Sequence, residues 1–446
     1  MNTDKHKKII VVFLAGLLSS PFFFYSRWQD VDFWGHLFFG KQIVETKTIP
    51  KTDCYSYTAF GNKWIDHEWL SEIVFYFIYK KASDKGLIFL KITVGFFTSI
   101  FLFLTLLNYS QNYRIVLPLY LFSLSLIYLG ASFRPQIFSY LYLAITGFLI
   151  HSYIKTQNIK SLYALLVILI LWANSHGGFI VGVILSVLIL TDLSIKKHLL
   201  YLIMIPLVTL INPYHIGLWK TVFAALTNPL TPKYIGEWSA FNIADFSIFG
   251  YVFVFLSVIS VSVFILLIAQ KRYLSALIVI LTIVLSYRSV RHIPIGAIII
   301  APFLIPFFQS IRKKFTYLII TAFSLLPFLL ILFLSIQNPS LKILSENKFP
   351  EGTMKFITEK NLSGNIYNEF NWGEYLIWNL YPQCKVAIDG RYDTVYPIAF
   401  LKNFFEKFEI PENTDFLLLK PSRIVDIKKW RVIYTDMFSI FYKKST

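Results

Sequence analysis

Long apolar runs alternate with short polar segments along most of the chain. The runs recur between residues 9 and 336 and approach the roughly 20 residues that a helix needs to cross a bilayer. Because a helix pairs its backbone polar groups within the segment, such runs predict transmembrane helices. We predict eleven crossings, at about residues 9–26, 88–107, 115–131, 136–153, 161–177, 179–194, 199–216, 247–269, 273–287, 293–309 and 315–336.

The first predicted loop, residues 27–87, is long and contains one further apolar segment. Residues 69–82 would reach only about 20 Å as a helix that rises 1.5 Å per residue. The segment also carries Glu72, Lys80 and Lys81. It is therefore predicted to form a helix that lies along the membrane surface rather than another crossing.

The apolar runs end with the last crossing. This divides the chain into a polytopic membrane domain, residues 1–337, and a soluble domain, residues 338–446. The soluble part alternates short β-rich runs with helical spacing, which predicts a small α/β domain. Asn368, Asp389, Gly390 and Arg391 stand at strand ends, where α/β folds often bind ligands. We predict that Asp389 and Arg391 hold a structural turn, with ligand binding as the alternative. Strands are predicted in GNIYN, CKVAIDG, DFLLLK, WRVIYTD and FSIFYKK, and helices in WGEYLIWNLY and IAFLKNFFEKF.

Basic residues determine the predicted orientation, because cytoplasmic loops carry an excess of Lys and Arg. Eleven crossings from a cytoplasmic N-terminus place the C-terminal domain outside, and a crossing at residues 69–82 would reverse every later loop. The short outer turns then contain Arg134, Lys220, Lys233, Arg288 and Arg291. The short inner segments contain Lys5, Lys7, Lys8, Arg114, Lys155, Lys160, Lys196, Lys197, Lys271, Arg272, Arg312, Lys313 and Lys314.

Composition agrees with a membrane protein. Hydrophobic residues make up 56% of the 446 residues and charged residues only 15%, well below the quarter that is typical of soluble domains. The net charge of +17 would indicate a nucleic-acid partner in a soluble protein. Here the predicted topology explains the basic residues, so we expect membrane lipid and no nucleic acid as a partner.

Nearly all of the unusual polar side chains fall on the predicted outer side. Ionisable groups at span ends are costly unless they pair or line a wet cavity, so we interpret them as an outward-facing polar cavity. Its predicted members are Asp30, Asp32, His36, Asp66, His67, Glu68, Arg134, Asn174, His176, Asn212, Tyr214, Glu237, Arg288, Arg291 and His292.

These residue types suit acid–base chemistry beside a phosphate. Asp30 and Asp32 are the candidate catalytic carboxylates, as general base towards an acceptor hydroxyl or as ligands of a divalent metal. His36, His67 and Glu68 would support the acceptor or metal site. Arginine binds phosphate through paired hydrogen bonds. The candidate phosphate-binding residues are Arg134, Arg288, Arg291 and His292, and the candidate cavity-lining residues are Asn174, His176, Asn212, Tyr214 and Glu237.

Each of these features also has a structural interpretation, which stays open. Asp30 and Asp32 could solvate the end of a span, and Glu68 could favour the first turn of a helix. The arginines could anchor lipid headgroups. Cys54 and Cys384 fall on the same predicted side, where a disulfide is permitted and two free thiols are the simpler interpretation.

Several motifs resemble bacterial integral-membrane proteins of the C-type glycosyltransferase superfamily, in particular the protein O-mannosyltransferase and aminoarabinose-transferase-like group. In that superfamily an aspartate of the first outer loop, often in an acidic pair, serves as base or metal ligand, and Asp30 and Asp32 occupy that motif. His67-Glu68-Trp69 stands where the aminoarabinose-transferase-like members carry Lys-Pro-Pro. The motifs are DVDFWGHLFFGKQI (30–43), IPKTDCYSYTAFGNKWIDHEWLSE (49–72), FRPQIFS (133–139), WANSHGGFIVG (172–182), NIYNEFNWGEYLIWNLYP (365–382) and KVAIDGRYD (385–393).

The resemblance implies an enzyme of the bacterial cell envelope. It implies a sugar donor carried by polyprenyl phosphate, an acceptor that is a glycan, a lipid or a protein, and an active site on the extracytoplasmic side of the cytoplasmic membrane. The alternatives are a transporter or flippase and a non-catalytic binder of lipid-linked sugars. The sequence shows no internal repeat of the kind common in transporters, which favours the transferase.

Overall fold

A computed structural model describes residues 2–19, 30–245, 248–310, 314–337, 349–423 and 429–445. A helix lies at each predicted crossing, although residues 20–26 of the first one fall outside the described residues. The principal helices up to residue 337 are Asn2–Leu18, Phe33–Thr46, Trp69–Tyr109, Tyr113–Ile127, Gln136–Thr156, Lys160–Ala173, Phe179–Leu193, Ile195–Val208, Ile216–Thr227, Thr231–Tyr234, Ile248–Ala269, Tyr273–Arg288, Ile293–Ser310 and Lys314–Gln337.

Several of these helices have the length and composition of membrane spans. In the described part of the chain five helical stretches qualify: Trp69–Tyr109, Tyr113–Gly130, Gln136–Thr156, Ile248–Ala269 and Val290–Ser310. Shorter apolar helices accompany them, including Lys160–Ala173, Phe179–Leu193 and Tyr273–Arg288. The fold is therefore mostly helical with apolar helices of spanning length, while the count of eleven crossings and their orientation stay predictions.

The chain forms two compact units, and the division differs from the predicted one at residue 337. The first unit contains the described residues of Met1–Trp28, Leu87–His215 and Thr231–Leu341. The second contains those of Gln29–Gly86, Ile216–Leu230 and Lys342–Thr446. The first loop and the helix Ile216–Thr227 thus fold with the C-terminal residues. The sequence analysis did not predict the helix Ile216–Thr227. Its apolar residues begin where the predicted crossing at 199–216 ends, so the two segments were not separated.

The first unit is a helical assembly. The helix Tyr113–Ile127 is buried along most of its length, because it packs against both Ile293–Ser310 and Lys314–Gln337. Phe255 and Phe323 stack with their ring centroids 4.2 Å apart, and Ser324 Oγ donates to Pro118 O at 2.7 Å. Aliphatic and aromatic side chains fill the space between helices, as the long apolar runs require.

The second unit is built on a five-stranded sheet. Its strands are β1 (Gly364–Asn368), β2 (Cys384–Val386), β3 (Phe416–Leu419), β4 (Trp430–Thr435) and β5 (Ile440–Lys444). The order is β2-β1-β3-β5-β4, with β1 parallel to β2 and β3 and with antiparallel pairing of β5 to β3 and β4. All five predicted strands are confirmed. The helices of this region are Glu351–Glu359, Gly373–Leu380 and Ile398–Lys402, the last continuing as a π-helical turn over Asn403–Lys407.

The first loop extends this sheet beyond β2. Tyr57 N donates to Val386 O at 3.1 Å, and Val386 N donates to Tyr55 O at 3.3 Å. Ser56 bridges Val386 in parallel, and Thr58 Oγ1 donates to Ala387 O at 2.5 Å. These bonds satisfy the edge of β2 and explain why the loop belongs to the C-terminal unit.

The predicted helix at residues 69–82 is present as the first part of the helix Trp69–Tyr109. Ser83 interrupts the helical geometry with φ 49° and ψ −149°. The interruption comes directly after residue 82, so the segment is a helix distinct from the apolar stretch that follows. Its position along the membrane surface stays a prediction.

Candidate active site

The acidic pair of the first loop lies at the start of the helix Phe33–Thr46. Asp30 is buried, and its Oδ1 accepts a hydrogen bond from Asp32 N at 3.0 Å. Asp32 is the residue immediately before the helix. This hydrogen bond forms an Asx-turn, which orders the backbone at the start of the helix.

His36 lies one helical turn after Asp32 and meets two carboxylates of the segment that begins the next helix. His36 Nδ1 is 2.9 Å from Glu72 Oε1 and 3.9 Å from Glu68 Oε2. Glu68 N donates to Asp66 Oδ1 at 3.1 Å, which orders the turn before that helix. The predicted members His36, Asp66 and Glu68 are thus brought together, and Glu72 joins them as a member that the sequence did not single out.

This cluster has the composition of a divalent-metal site. One ligand atom from each of His36, Glu68 and Glu72 lies within 4.8 Å of the others. Glu72 Oε2 and Asp66 Oδ2 are buried and accept no hydrogen bond from an N–H or hydroxyl group of the described residues. Burial raises the pKa of Glu72 well above its usual range, so this carboxyl group can share a proton with Asp66. A buried carboxylate oxygen without a donor is costly, and a cation or a proton removes that cost. The residues present therefore fit a hard divalent cation held by oxygen and imidazole ligands.

Burial sets the protonation of this cluster. It raises the pKa of Asp66 to about 6, against the lowering effect of hydrogen bonds from its neighbours. It also lowers the pKa of His36 below its usual value, although the Glu68 carboxylate opposes that shift. His36 is therefore a neutral imidazole at pH 7, the form in which histidine binds metals.

Glu374 adds a carboxylate from the C-terminal segment. It is 4% exposed, and its Oε2 accepts a hydrogen bond from Gly35 N at 3.2 Å. A side chain at Gly35 would overlap the Glu374 carboxylate, and one at Gly390 would overlap both Asp32 and Glu374. Burial, then the charges of Asp32 and Asp389, raise the pKa of Glu374 well above its usual range. The only sequence signal for this residue is an acid in the otherwise apolar segment WGEYLIWNL.

Arg391 forms the buried centre of the neighbouring turn. Its Nε donates to Asp389 Oδ1 at 2.8 Å and its Nη2 to Asp389 Oδ2 at 2.7 Å. Its Nη1 is 2.7 Å from Asp53 Oδ1 of the first loop. The predicted structural turn of Asp389 and Arg391 is confirmed. The guanidinium also lies over three aromatic rings at about 5 Å, those of Phe39, Tyr55 and Trp64.

His67 occupies a more exposed place than His36. Its Nε2 is 3.8 Å from Glu68 Oε1, and the side chain is 27% exposed. In the same unit, Asn228 Nδ2 donates to Asp393 Oδ2 at 2.9 Å, and burial raises the pKa of the Asp393 carboxyl group. An acceptor-side role for His67 stays a prediction.

The helical unit contains a separate cluster of charged residues around Glu237. Arg134 and Arg291 each form an ion pair with the Glu237 carboxylate, on different oxygens. Burial alone would raise the pKa of Glu237, but the two guanidinium groups outweigh it and hold the pKa below its usual value. Arg288 is exposed, and His292 meets the Trp238 ring edge to face at 5.9 Å. Two of the four predicted phosphate-binding residues therefore share one carboxylate, and burial followed by the charge of Arg291 lowers the pKa of His292 to about 4, so His292 supplies no positive charge at pH 7.

The other predicted cavity residues of this unit stabilise turns between helices. Asn174 Nδ2 donates to Ile170 O and Ile211 O, both at 2.8 Å. Asn212 Oδ1 accepts from Tyr214 N at 2.8 Å. These bonds explain the two amide side chains, and a role in lining a cavity stays a prediction.

No protein-family model and no curated protein matches the sequence. Solved structures match in fold. AglB, the archaeal oligosaccharyltransferase from Archaeoglobus fulgidus, in complex with an inhibitory peptide and a dolichol-phosphate, matches with a TM-score of 0.64 at 11% identity over 94% of this chain and 70% of that chain. The chain shares this fold. An Archaeoglobus fulgidus oligosaccharyltransferase tethered to an acceptor peptide containing the NVT sequon matches with a TM-score of 0.58 at 12% identity, over 99% of this chain and 74% of that one.

The shared fold is that of these two oligosaccharyltransferase structures. Membership of the C-type glycosyltransferase superfamily, which the motifs resemble, stays a prediction. The finer resemblance to the protein O-mannosyltransferase and aminoarabinose-transferase-like group stays a prediction. So does a bacterial source, because both matching structures are archaeal.

Proposed function

We propose that the protein is a glycosyltransferase that moves a sugar from a polyprenyl-phosphate-linked donor to an acceptor. The observation that carries this proposal is the oligosaccharyltransferase fold over 94% of the chain. One matching structure contains a dolichol-phosphate, and both contain a peptide, an acceptor in one and an inhibitor in the other. The lipid-phosphate class of donor follows by analogy, whereas the acceptor could be a glycan, a lipid or a protein.

In this proposal the second unit supplies the acid–base chemistry. Asp30 or Asp32 would accept the proton of an acceptor hydroxyl or hold the acceptor through a metal. The set His36, Glu68 and Glu72 would hold a divalent cation, which supplies positive charge against the leaving phosphate when bound. Arg134 and Arg291, two of the phosphate-binding residues predicted from the sequence, would bind the carrier phosphate. The reaction would take place at the extracytoplasmic face of the cytoplasmic membrane.

The test is sugar release from a panel of radiolabelled undecaprenyl-phosphate sugars by purified protein in detergent. Wild type is compared with Asp30→Asn, Asp32→Asn and the control Asp245→Asn, which alters an exposed aspartate of another loop. Loss of a catalytic base or metal ligand lowers turnover by at least about a hundredfold, whereas the control retains it. Chelation followed by Mg²⁺ or Mn²⁺ addition measures the metal requirement. Absence of turnover with every donor would favour a transporter or a non-catalytic binder.

A further inference from the structure

The helix Ile216–Thr227 of the second unit has one face that packs on protein. Leu218 and Val222 on that face are buried, and the helix packs against the short helical turn that contains Asp393. Just after the helix ends, Asn228 Nδ2 donates to Asp393 Oδ2 at 2.9 Å. These contacts fasten the helix to the unit that contains the predicted catalytic residues.

The opposite face of this helix carries large apolar side chains that are exposed. Ile216 is 58% exposed, Phe223 49% and Leu226 39%. At 3.6 residues per turn these three side chains lie within one arc of about 80°. The Trp219 ring lies in the same arc, 5.9 Å from the ring of Phe223. We call these four residues the open face. A contiguous apolar face of this kind marks an interaction surface, whereas single exposed apolar residues do not.

Charge and length favour lipid as the partner of the open face. Lys220 is the only Asp, Glu, Lys or Arg between Lys197 and Lys233, and so little charge is typical of chain that contacts a membrane. The helix has 12 residues, which gives about 18 Å and is too short for a hydrocarbon core of about 30 Å. A helix that contacts lipid without crossing it lies in the interface, where a lysine stem covers apolar surface and its ammonium group reaches the headgroups.

Exposed apolar residues also continue along the chain from the preceding helix. In the helix Ile195–Val208, Leu200 and Leu207 are more than half exposed, and so is Ile211 in the turn that follows. In a membrane protein such side chains meet acyl chains rather than water. The apolar exposure therefore does not stop where the chain enters the second unit.

Another helix of the second unit presents the same combination of residues. Phe77 is 50% exposed, and Lys81 Nζ lies 4.2 Å from the centre of its ring. Both belong to the segment 69–82, for which the sequence predicts a position along the membrane surface. The open face therefore resembles a segment of the same unit that is already expected to contact lipid.

We propose that the helix Ile216–Thr227 is an interfacial helix, whose open face inserts between the headgroups and the upper acyl chains of the membrane while Lys220 meets anionic headgroups. Because its other face is fastened to the turn that contains Asp393, the helix anchors the second unit to the membrane surface. The inference goes beyond the proposed function and does not depend on the transfer reaction.

The experiment measures whether lipid or water reaches the open face in the full chain, reconstituted in nanodiscs. Cys54 and Cys384 are replaced by serine, and a single introduced cysteine is labelled with the fluorophore bimane. Fluorescence is quenched either by phospholipids with a nitroxide on the acyl chain or by iodide in the water. The control is Val432→Cys, because Val432 is 50% exposed in β4 of the same unit but follows the exposed Arg431. The test variants are Ile216→Cys, Phe223→Cys and Leu226→Cys.

A face that lies about 5–10 Å into the boundary of headgroups and acyl chains brings its label close to the nitroxides. We expect the nitroxide lipid to lower the fluorescence of all three test variants at least about twofold and to leave the control unchanged. Iodide should quench the control more strongly than the test variants. Thr221→Cys and Ala225→Cys, which turn away from the open face, should respond less to the nitroxide lipid than Phe223→Cys.

Two results would overturn the proposal. Iodide quenching of the test variants as strong as that of the control, without quenching by the nitroxide lipid, would place the open face in water. Protection from both quenchers would mean that protein covers it. For Lys220, an anionic lipid should increase the nitroxide quenching of Phe223→Cys, and Lys220→Gln should remove that increase. An increase that persists in Lys220→Gln would contradict the contact of Lys220 with the headgroups.

Discussion

The buried carboxyl group of Asp66 makes the stability of the folded protein depend on pH. Its Oδ1 accepts from Glu68 N, and its other side-chain partner is the carboxyl group of Glu72. Burial raises its pKa to about 6. The folded chain therefore binds the Asp66 proton more tightly than the unfolded chain does, and ionisation of this group opposes folding.

We predict that Asp66 makes the metal-free protein less stable as pH rises. Its stabilising contribution is complete below the unfolded pKa near 4 and is lost as pH rises to about 6, above which the loss levels off. At about 1.4 kcal/mol per pKa unit the total is at most about 3 kcal/mol. Thermal unfolding in a chelator between pH 4 and 8 measures it, with Asp66→Asn as the variant that cannot ionise. An unchanged pH slope in that variant would show that Asp66 does not titrate in this range.

At the scale of elements, the turn after β2 depends on one buried guanidinium. Arg391 joins β2 to the first loop through Asp389 and Asp53, and its side chain is only 4% exposed. Arg423 offers a matched comparison in the same unit. It pairs with Glu369 at 3.2 Å and lies over Phe408 at 4.9 Å, but its side chain is 48% exposed.

We predict that Arg391→Met destabilises the protein by about 3 to 5 kcal/mol, because it leaves two buried carboxylates without their cation. Arg423→Met should cost less than about 1 kcal/mol, since an exposed ion pair contributes little. Thermal unfolding of both variants in the same detergent provides the measurement. Similar losses for the two would mean that burial does not govern the strength of these pairs.

The sequence predicts the helices and strands whose hydrophobic pattern is local, within a few consecutive residues. The strands of the C-terminal residues and the helices at Gly373–Leu380 and Ile398–Lys402 were predictable because alternation and turns are local, whereas the helix Glu351–Glu359 was not predicted. His36 was predicted as one of the polar residues of the first outer loop.

Glu72 and Glu374 were not assigned to the site. Each is an acid in the first turn of a helix, where a carboxylate is favoured without any function. Their place in the site comes from contacts that local pattern does not show: Glu72 meets His36, 36 residues away, and Glu374 accepts from Gly35 N, 339 residues away.

At the scale of the whole molecule, the number of crossings depends on helices that are short for a bilayer. The helix Lys160–Ala173 has 14 residues, which corresponds to about 21 Å against a hydrocarbon thickness of about 30 Å. Length and composition therefore identify five spanning stretches among the residues whose side chains are described. The distribution of Lys and Arg is the independent argument that counts the shorter helices as crossings and the segment 69–82 as a surface helix.

We predict that the C-terminal residues and the loop at Lys271 lie on opposite sides of the membrane. Eleven crossings put Lys271 inside and Glu412 outside, and both positions are exposed. Cysteine is introduced separately as Lys271→Cys and Glu412→Cys in a chain whose Cys54 and Cys384 are replaced by serine, and intact cells are treated with a membrane-impermeant maleimide. Only the Glu412 variant should react, and lysed cells should label both. Labelling of the Lys271 variant alone would mean that residues 69–82 cross the bilayer, because one additional crossing exchanges the sides of every later loop.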